Sequence, residues 1–136
     1  MFCDWLKELK YELVQGELDV PAEDVVYDSR KAGKDTVFVC MKGTNVDSHD
    51  FIPDVLKAGT KILVVEREVS EIPEDVTVIR VENGRNALAL LSAARFGYPA
   101  GKMVTIGVTG TKGKTTTTYM IKSILEACGK KVGLIG

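Results

Sequence analysis

The chain has few of the residues that build metal or redox centres. Its 136 residues include three cysteines, Cys3, Cys40 and Cys128, and one histidine, His49. An odd number of widely spaced cysteines excludes a complete disulfide framework and a Cys-x-x-Cys metal site, so we expect reduced, partly buried thiols. A single histidine excludes any site that needs two imidazoles. We therefore expect a structural role for His49.

Long apolar runs are also missing. No stretch approaches the ~20 apolar residues that a membrane-spanning helix needs, and the first residues, Met1 to Trp5, lack the basic-then-apolar order of a signal peptide. The composition, with 45% hydrophobic and 27% charged residues, is typical of a globular protein. We expect a cytoplasmic protein that has no membrane partner and enough residues to bury a core.

The last part of the chain contains no arginine and almost no acidic residue. Residues 1–100 hold 12 lysines and arginines against 18 aspartates and glutamates, whereas residues 101–136 hold six lysines against Glu126 alone. This asymmetry predicts an anion-binding function in the C-terminal segment. The missing arginines, together with a single aromatic residue there, Tyr119, argue against a nucleic-acid partner.

That segment is instead rich in glycine and threonine. Residues 103–118 read MVTIGVTGTKGKTTTT, a short apolar run that breaks into a glycine-rich turn and then into a helical pattern. Glycines let main-chain N–H groups point at phosphate oxygens, and the first turn of the following helix adds unpaired donors. In such a loop Lys114 reaches the β- and γ-phosphates, and the Thr115 hydroxyl binds Mg²⁺. The segment therefore predicts a phosphate-binding loop.

The glycine spacing of this loop departs from the common pattern. Glycine, four residues, then Gly-Lys-Ser/Thr would place the first glycine at Val108, and glycines stand instead at Gly107 and Gly110. The loop is therefore a variant. The alternative is a glycine-rich strand-to-helix turn whose lysine is simply solvated.

Strand and helix patterns alternate before the loop. Apolar residues at helical spacing predict helices at residues 2–14, 50–57 and 85–96. Short apolar runs predict strands at residues 25–27, 36–41, 61–65 and 76–81. This alternation predicts an α/β fold with a largely parallel sheet.

A domain boundary is predicted where three helix-breaking residues cluster and the sign of the charge changes, at residues 96–102. It separates a first domain, residues 1–98, from a second, residues 99–136. A strand at 103–108, the loop, a helix and an apolar run at 131–135 predict one β-α-β unit. Because a nucleotide-binding domain needs further strands and an acidic magnesium ligand, we expect the second domain to be truncated.

The loop from Gly107 to Thr115 reads Gly-x-x-Gly-Thr-x-Gly-Lys-Thr and resembles the phosphate loop of the Mur ligase family. Residues 28–30, 33–39 and 42–52 resemble the N-terminal uridine-nucleotide domain of the member that adds the third amino acid of the peptidoglycan stem peptide. The resemblance covers about residues 24–136. It implies a small N-terminal α/β domain that is followed by the first β-α-β unit of a P-loop ATP-binding domain.

The resemblance also implies an ATP-dependent amide ligase. A carboxylate of a UDP-N-acetylmuramoyl dipeptide is phosphorylated to an acyl phosphate, which the amine of a diamino acid then attacks. Lys114 would be catalytic, offsetting charge on the γ-phosphoryl group, and Thr115 would hold Mg²⁺. The implied ATP-binding residues are Gly110, Thr111, Lys112, Gly113, Lys114, Thr115 and Thr116.

For the uridine diphosphate part of the substrate, the resemblance implies contacts from Ser29 and from Thr44, Asn45 and Val46. Each of these residues also suits an ordinary turn. Asp28 and Arg30 are expected to pair and to fix the loop around Ser29.

Two departures from the family pattern bear on function. Lys112 stands where the family usually has a small polar residue, and it either adds positive charge beside the phosphates or faces solvent. The family's downstream metal ligands, its amino-acid-binding motif, the remainder of its central domain and its C-terminal domain are not in this sequence. We therefore expect that the chain alone does not catalyse ligation.

Two other functions stay open at this point. Another P-loop enzyme, such as a kinase or a folylpolyglutamate-type ligase, would need the loop but not the arrangements at residues 28–30 and 43–45. A non-catalytic uridine-nucleotide-binding module would bind the sugar nucleotide through its first domain. Such a module would have negligible affinity for ATP, since half a nucleotide fold cannot hold its loop rigid.

Overall fold

The structure, a computed structural model, describes residues 1–44 and 46–135. It divides into two compact units, Met1–Pro99 and Ala100–Gly136. Within the described residues, no helix is both long enough and apolar enough to cross a membrane.

The first unit is built on a five-stranded sheet. Its strands are β1 (Glu12–Gln15), β2 (Asp24–Val26), β3 (Thr36–Val39), β4 (Ile62–Val65) and β5 (Thr77–Arg80). Its α-helices are α1 (Ile52–Lys57) and α2 (Gly84–Arg95), and short 3-10 helices span Phe2–Leu6, Ser29–Lys31, Ser48–Phe51 and Pro99–Lys102.

The strand order is β1-β5-β4-β3-β2. Strands β2 to β5 pair in parallel with their neighbours, and β1 pairs antiparallel with β5. The four parallel strands therefore end on the same side of the sheet, here termed the carboxyl edge. It carries the segments that follow Val26, Val39, Val65 and Arg80.

The core lies on both faces of the sheet, as the run of apolar residues in β4 illustrates. Ile62 and Val64 pack in the cluster that contains α2, whereas Leu63 and Val65 pack in the cluster that contains α1. All four residues are at most 1% exposed. A strand buried on both faces has no polar side to alternate with, which is why the sequence shows a continuous apolar run. The expected α/β class with a largely parallel sheet is confirmed.

The two helices begin and end at residues suited to those positions. Pro53 lies in the first turn of α1, where its missing N–H is not needed. The Asn83 side chain caps α2 by accepting the N–H of Asn86 at 2.9 Å. Gly97, just beyond α2, has a φ of +67°, which glycine adopts without steric cost.

The predicted helix at residues 2–14 is wrong beyond Leu6. Phe2, Leu6 and Leu9 are buried, as the helical spacing suggests, but the chain then forms β1. The free edge of β5 supplies backbone hydrogen bonds to residues 12–15, and these pairings replace the helical ones. The same apolar spacing is compatible with a short 3-10 helix followed by a turn, so the pattern alone could not fix the length of the helix.

The second unit contains one α-helix, α3 (Lys114–Ala127). No strand is assigned at residues 103–108 or 131–135, in the part of this unit that the structure describes. Of the expected β-α-β unit, the described residues contain the loop and the helix but not the two flanking strands. A strand needs a hydrogen-bonded neighbour, and neither segment has one.

The three cysteines are free thiols. Cys40 is buried, Cys3 is half-buried and Cys128 is exposed. Burial in the apolar core raises the pKa of the Cys40 thiol to about 12. Cys40 is therefore a packing residue rather than a nucleophile.

Candidate functional site

The glycine-rich loop leads directly into α3. Gly113, the residue before the helix, has a φ of +75°, a conformation that other residues adopt only with strain. The N–H of Thr117 donates to the Gly113 carbonyl at 2.9 Å and opens the hydrogen-bond ladder of the helix. The amides of Lys114, Thr115 and Thr116 precede it and are the donors that a helix start leaves without an internal partner. Together with the helix dipole, they favour an anion.

Lys114 folds back over the loop. Its Nζ donates to the Gly110 carbonyl at 2.7 Å, so the ammonium lies beside the glycine-rich backbone at the start of α3. Lys114 is exposed at the same time, so its charge is accessible from solvent. The positive charge and the free helix amides therefore act on the same small region.

One side of α3 forms an open groove. It has a volume of about 570 Å³ and is lined by Thr115, Thr116, Tyr119, Met120, Ser123 and Ile124. The Thr118 hydroxyl donates to the Thr115 carbonyl at 2.7 Å, and Thr115 itself lines the groove. Thr111 and Lys112 are exposed.

The loop residues suit a magnesium-bound polyphosphate better than a bare metal ion. Among the described residues, no group of three or more His, Cys, Asp or Glu side chains could hold a metal. Mg²⁺ in nucleotide sites commonly takes one or two protein oxygens, with waters and phosphate oxygens as its other ligands. The Thr115 hydroxyl can supply one such oxygen when the phosphates supply others.

In the first unit, Asp28 and Arg30 hold the backbone around Ser29. The Asp28 carboxylate accepts the Arg30 guanidinium at 2.6 Å and the Arg30 N–H at 3.0 Å. These two hydrogen bonds, the guanidinium's first, lower the pKa of Asp28 to about 2. The expected Asp28–Arg30 pair is confirmed. Ser29 is half-buried and begins the 3-10 helix that Asp28 caps.

The second predicted contact region is the turn after β3, here termed the 42–47 turn. Lys42 and Asp47 form an antiparallel bridge, and the Gly43 N–H donates to the Val46 carbonyl at 2.9 Å. A Cβ on Gly43 would lie 2.8 Å from that carbonyl oxygen, so the turn requires glycine. Thr44 and Val46 are exposed. Asn45 lies outside the described residues.

The fold brings these two regions to the carboxyl edge. Ser29 follows β2 and the 42–47 turn follows β3, and these strands are parallel neighbours in the sheet. Open α/β sheets bind ligands just beyond the carboxyl ends of their strands. The sequence motifs are separated along the chain, and the parallel topology is what places them on one edge.

A partly buried hydrogen-bond network that joins the turn to Glu66 was missed by sequence reasoning. The Glu66 carboxylate accepts the N–H of Lys42 at 2.9 Å and the N–H of Gly84 at 2.7 Å. The N–H of Glu66 donates to His49 Nε2 at 3.0 Å, and His49 Nδ1 contacts the Asp47 carboxylate at 2.5 Å. One signal was available in the sequence, namely a carboxylate that directly follows a fully apolar strand.

These contacts fix the tautomer of His49. A ring nitrogen that accepts a hydrogen bond carries no proton, so Nε2 is unprotonated and the proton lies on Nδ1, which donates to Asp47. His49 is 5% exposed, and its structural role is the one that the sequence predicts. The backbone and ring hydrogen bonds from His49 lower the pKa of the Asp47 carboxyl.

A cleft of about 310 Å³ lies along β2 and the last turns of α2. Tyr27 and Asp28 form one wall, and Ser92, Arg95 and Phe96 form the other. Tyr27 is 59% exposed and directly follows β2, so it also lies at the carboxyl edge. Sequence reasoning did not single it out, because an aromatic residue that ends an apolar strand usually belongs to the core.

Comparison with known proteins identifies two family matches. Residues 23–96 match the Mur ligase family, catalytic domain, and residues 108–136 match the Mur ligase middle domain. The first match covers most of the first unit, and the second contains most of the glycine-rich loop and all of α3.

Two curated relatives of the chain carry the same ligase name. The chain is 47% identical over 131 residues to the UDP-N-acetylmuramoyl-L-alanyl-D-glutamate–2,6-diaminopimelate ligase of Clostridium perfringens (strain 13 / Type A), covering 96% of this chain and 27% of the relative. It is 43% identical over 133 residues to the ligase of that name from Clostridium tetani (strain Massachusetts / E88), covering 96% of this chain and 27% of the relative. The chain thus spans about a quarter of the length of these relatives.

Solved structures of similar fold come from two further organisms. The UDP-N-acetylmuramoylalanyl-D-glutamyl-2,6-diaminopimelate–D-alanyl-D-alanyl ligase of Acinetobacter baumannii superposes with a TM-score of 0.72 at 27% identity, covering 93% of this chain and 28% of that one. The MurF ligase of Thermotoga maritima in complex with ADP superposes with a TM-score of 0.58 at 30% identity, covering 78% of this chain and 24% of that one.

Proposed function

Because the chain belongs to the Mur ligase family, we propose that it provides the sugar-nucleotide domain and phosphate loop of an ATP-dependent ligase of peptidoglycan synthesis. The ligase adds a diamino acid, diaminopimelate by the names of its relatives, to UDP-N-acetylmuramoyl-L-Ala-D-Glu. The observation that carries this proposal is the 47% identity to a relative of that name across both units. The match at residues 23–96 lies outside the loop and argues against an unrelated P-loop kinase.

In the proposed reaction, ATP transfers its γ-phosphoryl group to a substrate carboxylate and ADP leaves. The amine of the diamino acid then attacks the acyl phosphate, and inorganic phosphate is released. The proposed part of this chain is to bind and orient the triphosphate. Lys114 offsets charge on the γ-phosphoryl group, the amides of residues 110–116 contact phosphate oxygens, and Thr115 supplies an oxygen to Mg²⁺.

The proposed sugar-nucleotide site is the carboxyl edge of the first unit. Ser29 offers a hydroxyl and a helix-start N–H to the diphosphate, and Thr44 and Val46 contact the uridine side. The fixed backbone around Ser29 supports this assignment, since Asp28 and Arg30 hold it without using the Ser29 side chain. We place residues 1–98 in this sugar-nucleotide domain and residues 99–136 in the ATP-binding domain. The proposed setting is the cytoplasm.

A second candidate function is supported by the absence of an assigned strand in the described part of the second unit. A phosphate loop without a supporting sheet is less well preorganised. On this alternative, the chain is a non-catalytic module that binds the uridine nucleotide alone.

Calorimetric titration with UDP-N-acetylmuramoyl-L-Ala-D-Glu tests the sugar-nucleotide site. We expect binding by the wild-type chain and a loss of about tenfold in affinity in Ser29→Ala, the size of one hydrogen bond to a charged group. Ser70→Ala, at an exposed serine of the same unit, is the matched control and should bind as wild type does. No heat with the wild-type chain would contradict the proposal.

Titration with Mg-ATP tests the loop separately. We expect Lys114→Ala to weaken binding by about tenfold or more, whereas Lys131→Ala removes the same charge beyond α3 and leaves binding unchanged. Sugar-nucleotide binding without any ATP binding would favour the non-catalytic module. ATP binding without sugar-nucleotide binding would favour another P-loop enzyme.

A further inference from the structure

The 42–47 turn is held at both ends by one residue, Glu66, which directly follows β4. At the first end, the Glu66 carboxylate accepts the Lys42 N–H at 2.9 Å. At the other end, the Glu66 N–H donates to His49 Nε2 at 3.0 Å, and the His49 ring contacts Asp47. The His49 side chain thus connects the residue after β4 to the Asp47 end of the turn through hydrogen bonds on both ring nitrogens.

We propose that His49, held as the neutral Nδ1–H tautomer, is a positioning residue that sets the 42–47 turn for sugar-nucleotide binding. This inference rests on the proposed function of the carboxyl edge. His49 does not touch the ligand in this account. It acts through Asp47, whose main chain pairs with Lys42 and closes the turn that carries Thr44 and Val46.

The chemistry of the ring suits this task. Imidazole is the side chain that can accept a hydrogen bond on one nitrogen while it donates from the other across a rigid plane. The His49 side chain is 1% exposed, so water does not compete for either nitrogen. The same carboxylate oxygen of Asp47 also accepts the backbone N–H of His49 at 3.0 Å, which fixes the angle between the ring and the turn.

The charged groups around the ring keep this arrangement in place. Asp47 lies against Nδ1, and its second oxygen is 3.4 Å from Arg67 Nε. Arg67 also lies 3.6 Å from Asp50. The carboxylate of Glu66 accepts the N–H groups of Lys42 and Gly84. Glu66 thus joins the start of α2 and the Lys42 end of the turn through its carboxylate, and it joins His49 through its N–H.

Ring nitrogen NMR on the wild-type chain tests the tautomer directly, since the sequence has a single histidine. We expect a protonated nitrogen at Nδ1 and an unprotonated one at Nε2 at neutral pH, without ligand. A ring that is protonated at Nε2, or one that averages between tautomers, would overturn the inference.

Two variants separate positioning from packing. His49→Asn can replace the donor to Asp47 but not the acceptor for Glu66, and His49→Gln can replace the acceptor but not the donor. Because each breaks the connection from Glu66 to Asp47, we expect each to weaken sugar-nucleotide binding about tenfold and to shift the amide resonances of Thr44 and Val46.

Val55→Ala is the matched control. Val55 is fully buried in the cluster that contains α1, so its truncation lowers stability without touching the turn. We expect its folded form to bind within about twofold of wild type. If Val55→Ala weakens binding as much as the histidine variants do, His49 is merely structural and the inference fails.

These measurements also separate the inference from the proposed function. No binding by the wild-type chain would contradict the proposed function alone. In that case, two measurements still test whether His49 positions the turn: the ring tautomer, and the change in the Thr44 and Val46 amide resonances between wild type and His49→Gln. Unchanged amide shifts would overturn it.

Discussion

The two units of the chain use similar apolar residues and bury them to very different extents. In the first unit, the four residues of β4 are at most 1% exposed. In the second, Val104 is 92% exposed and Ile124 is 62% exposed, and none of the described residues from 100 to 135 is buried. Burial therefore follows from the neighbours that a parallel sheet supplies, and not from residue type.

The candidate sites differ in the same way. Around the 42–47 turn, the hydrogen bonds of Glu66 join residues that are 17 to 24 positions apart. Where the glycine-rich loop meets α3, Lys114 and Thr118 bond to residues four and three positions away. The first site is fixed by tertiary structure, whereas the second is shaped by local backbone conformation. The first unit should therefore fold and bind independently of the second.

Truncating one large side chain in each unit should give the largest contrast. Phe38 is fully buried, so Phe38→Ala should lower the free energy of unfolding by about 3–5 kcal/mol. Ile124→Ala, at an exposed position of α3, should change it by less than ~0.5 kcal/mol. Urea unfolding followed by Trp5 fluorescence measures this, since the sole tryptophan packs against the core of the first unit. Equal losses of unfolding free energy in the two variants would contradict the difference in burial between the two units.

Adding one methyl group at a glycine should also change the free energy of unfolding more in the first unit than in the second, by a smaller amount. A Cβ at Gly84 would lie 2.5 Å from the Cys40 carbonyl oxygen and 3.1 Å from a carboxylate oxygen of Glu66. Gly84→Ala should therefore cost about 1–3 kcal/mol of unfolding free energy, because the start of α2 must move. Gly101→Ala is the control, since no atom lies within 4 Å of its Cβ position. Thermal unfolding that is unchanged in Gly84→Ala would show that α2 is loosely placed.

The smallest effect concerns acid pH. The depressed pKa of Asp28, about 2 against an ordinary 3.8, means that its contribution to stability is present above 3.8 and is lost as the pH falls through about 2. Carboxyl-carbon NMR should show Asp28 titrating near the lower value. Arg30→Ala should raise the pKa towards 3.8, because the largest cause of the shift is the guanidinium hydrogen bond. Titration near the ordinary value in the wild-type chain would mean that the pair does not fix Ser29.

Much of the first unit could be predicted from the sequence, because its strands are short apolar runs separated by turn residues. The runs at residues 61–65 and 76–81 correspond to β4 and β5, and the helices at 50–57 and 85–96 correspond to α1, with the 3-10 turn before it, and to α2. The N-terminal segment could not be predicted, since β1 depends on the free edge of β5. The strands expected at 103–108 and 131–135 did not form for the converse reason, the lack of a partner.

The candidate site was partly visible in the sequence. The loop glycines, Lys114 and the Asp28–Arg30 pair carry local signals, because each acts within a few residues. The network from Glu66 to His49 and Asp47 does not, since it depends on three segments that meet only through the sheet. Tyr27 was missed because strand patterns do not reveal which aromatic residue lies at an exposed edge.

The most direct test of the account is an amide NMR titration of the whole chain with UDP-N-acetylmuramoyl-L-Ala-D-Glu, without ATP. The account predicts that the amide resonances of Ser29, Thr44 and Val46, on the carboxyl edge of the first unit, shift most. It predicts that the amide resonances of residues 111–116 do not shift. Shifts confined to residues 111–116, or no shifts in the first unit at saturating ligand, would contradict it.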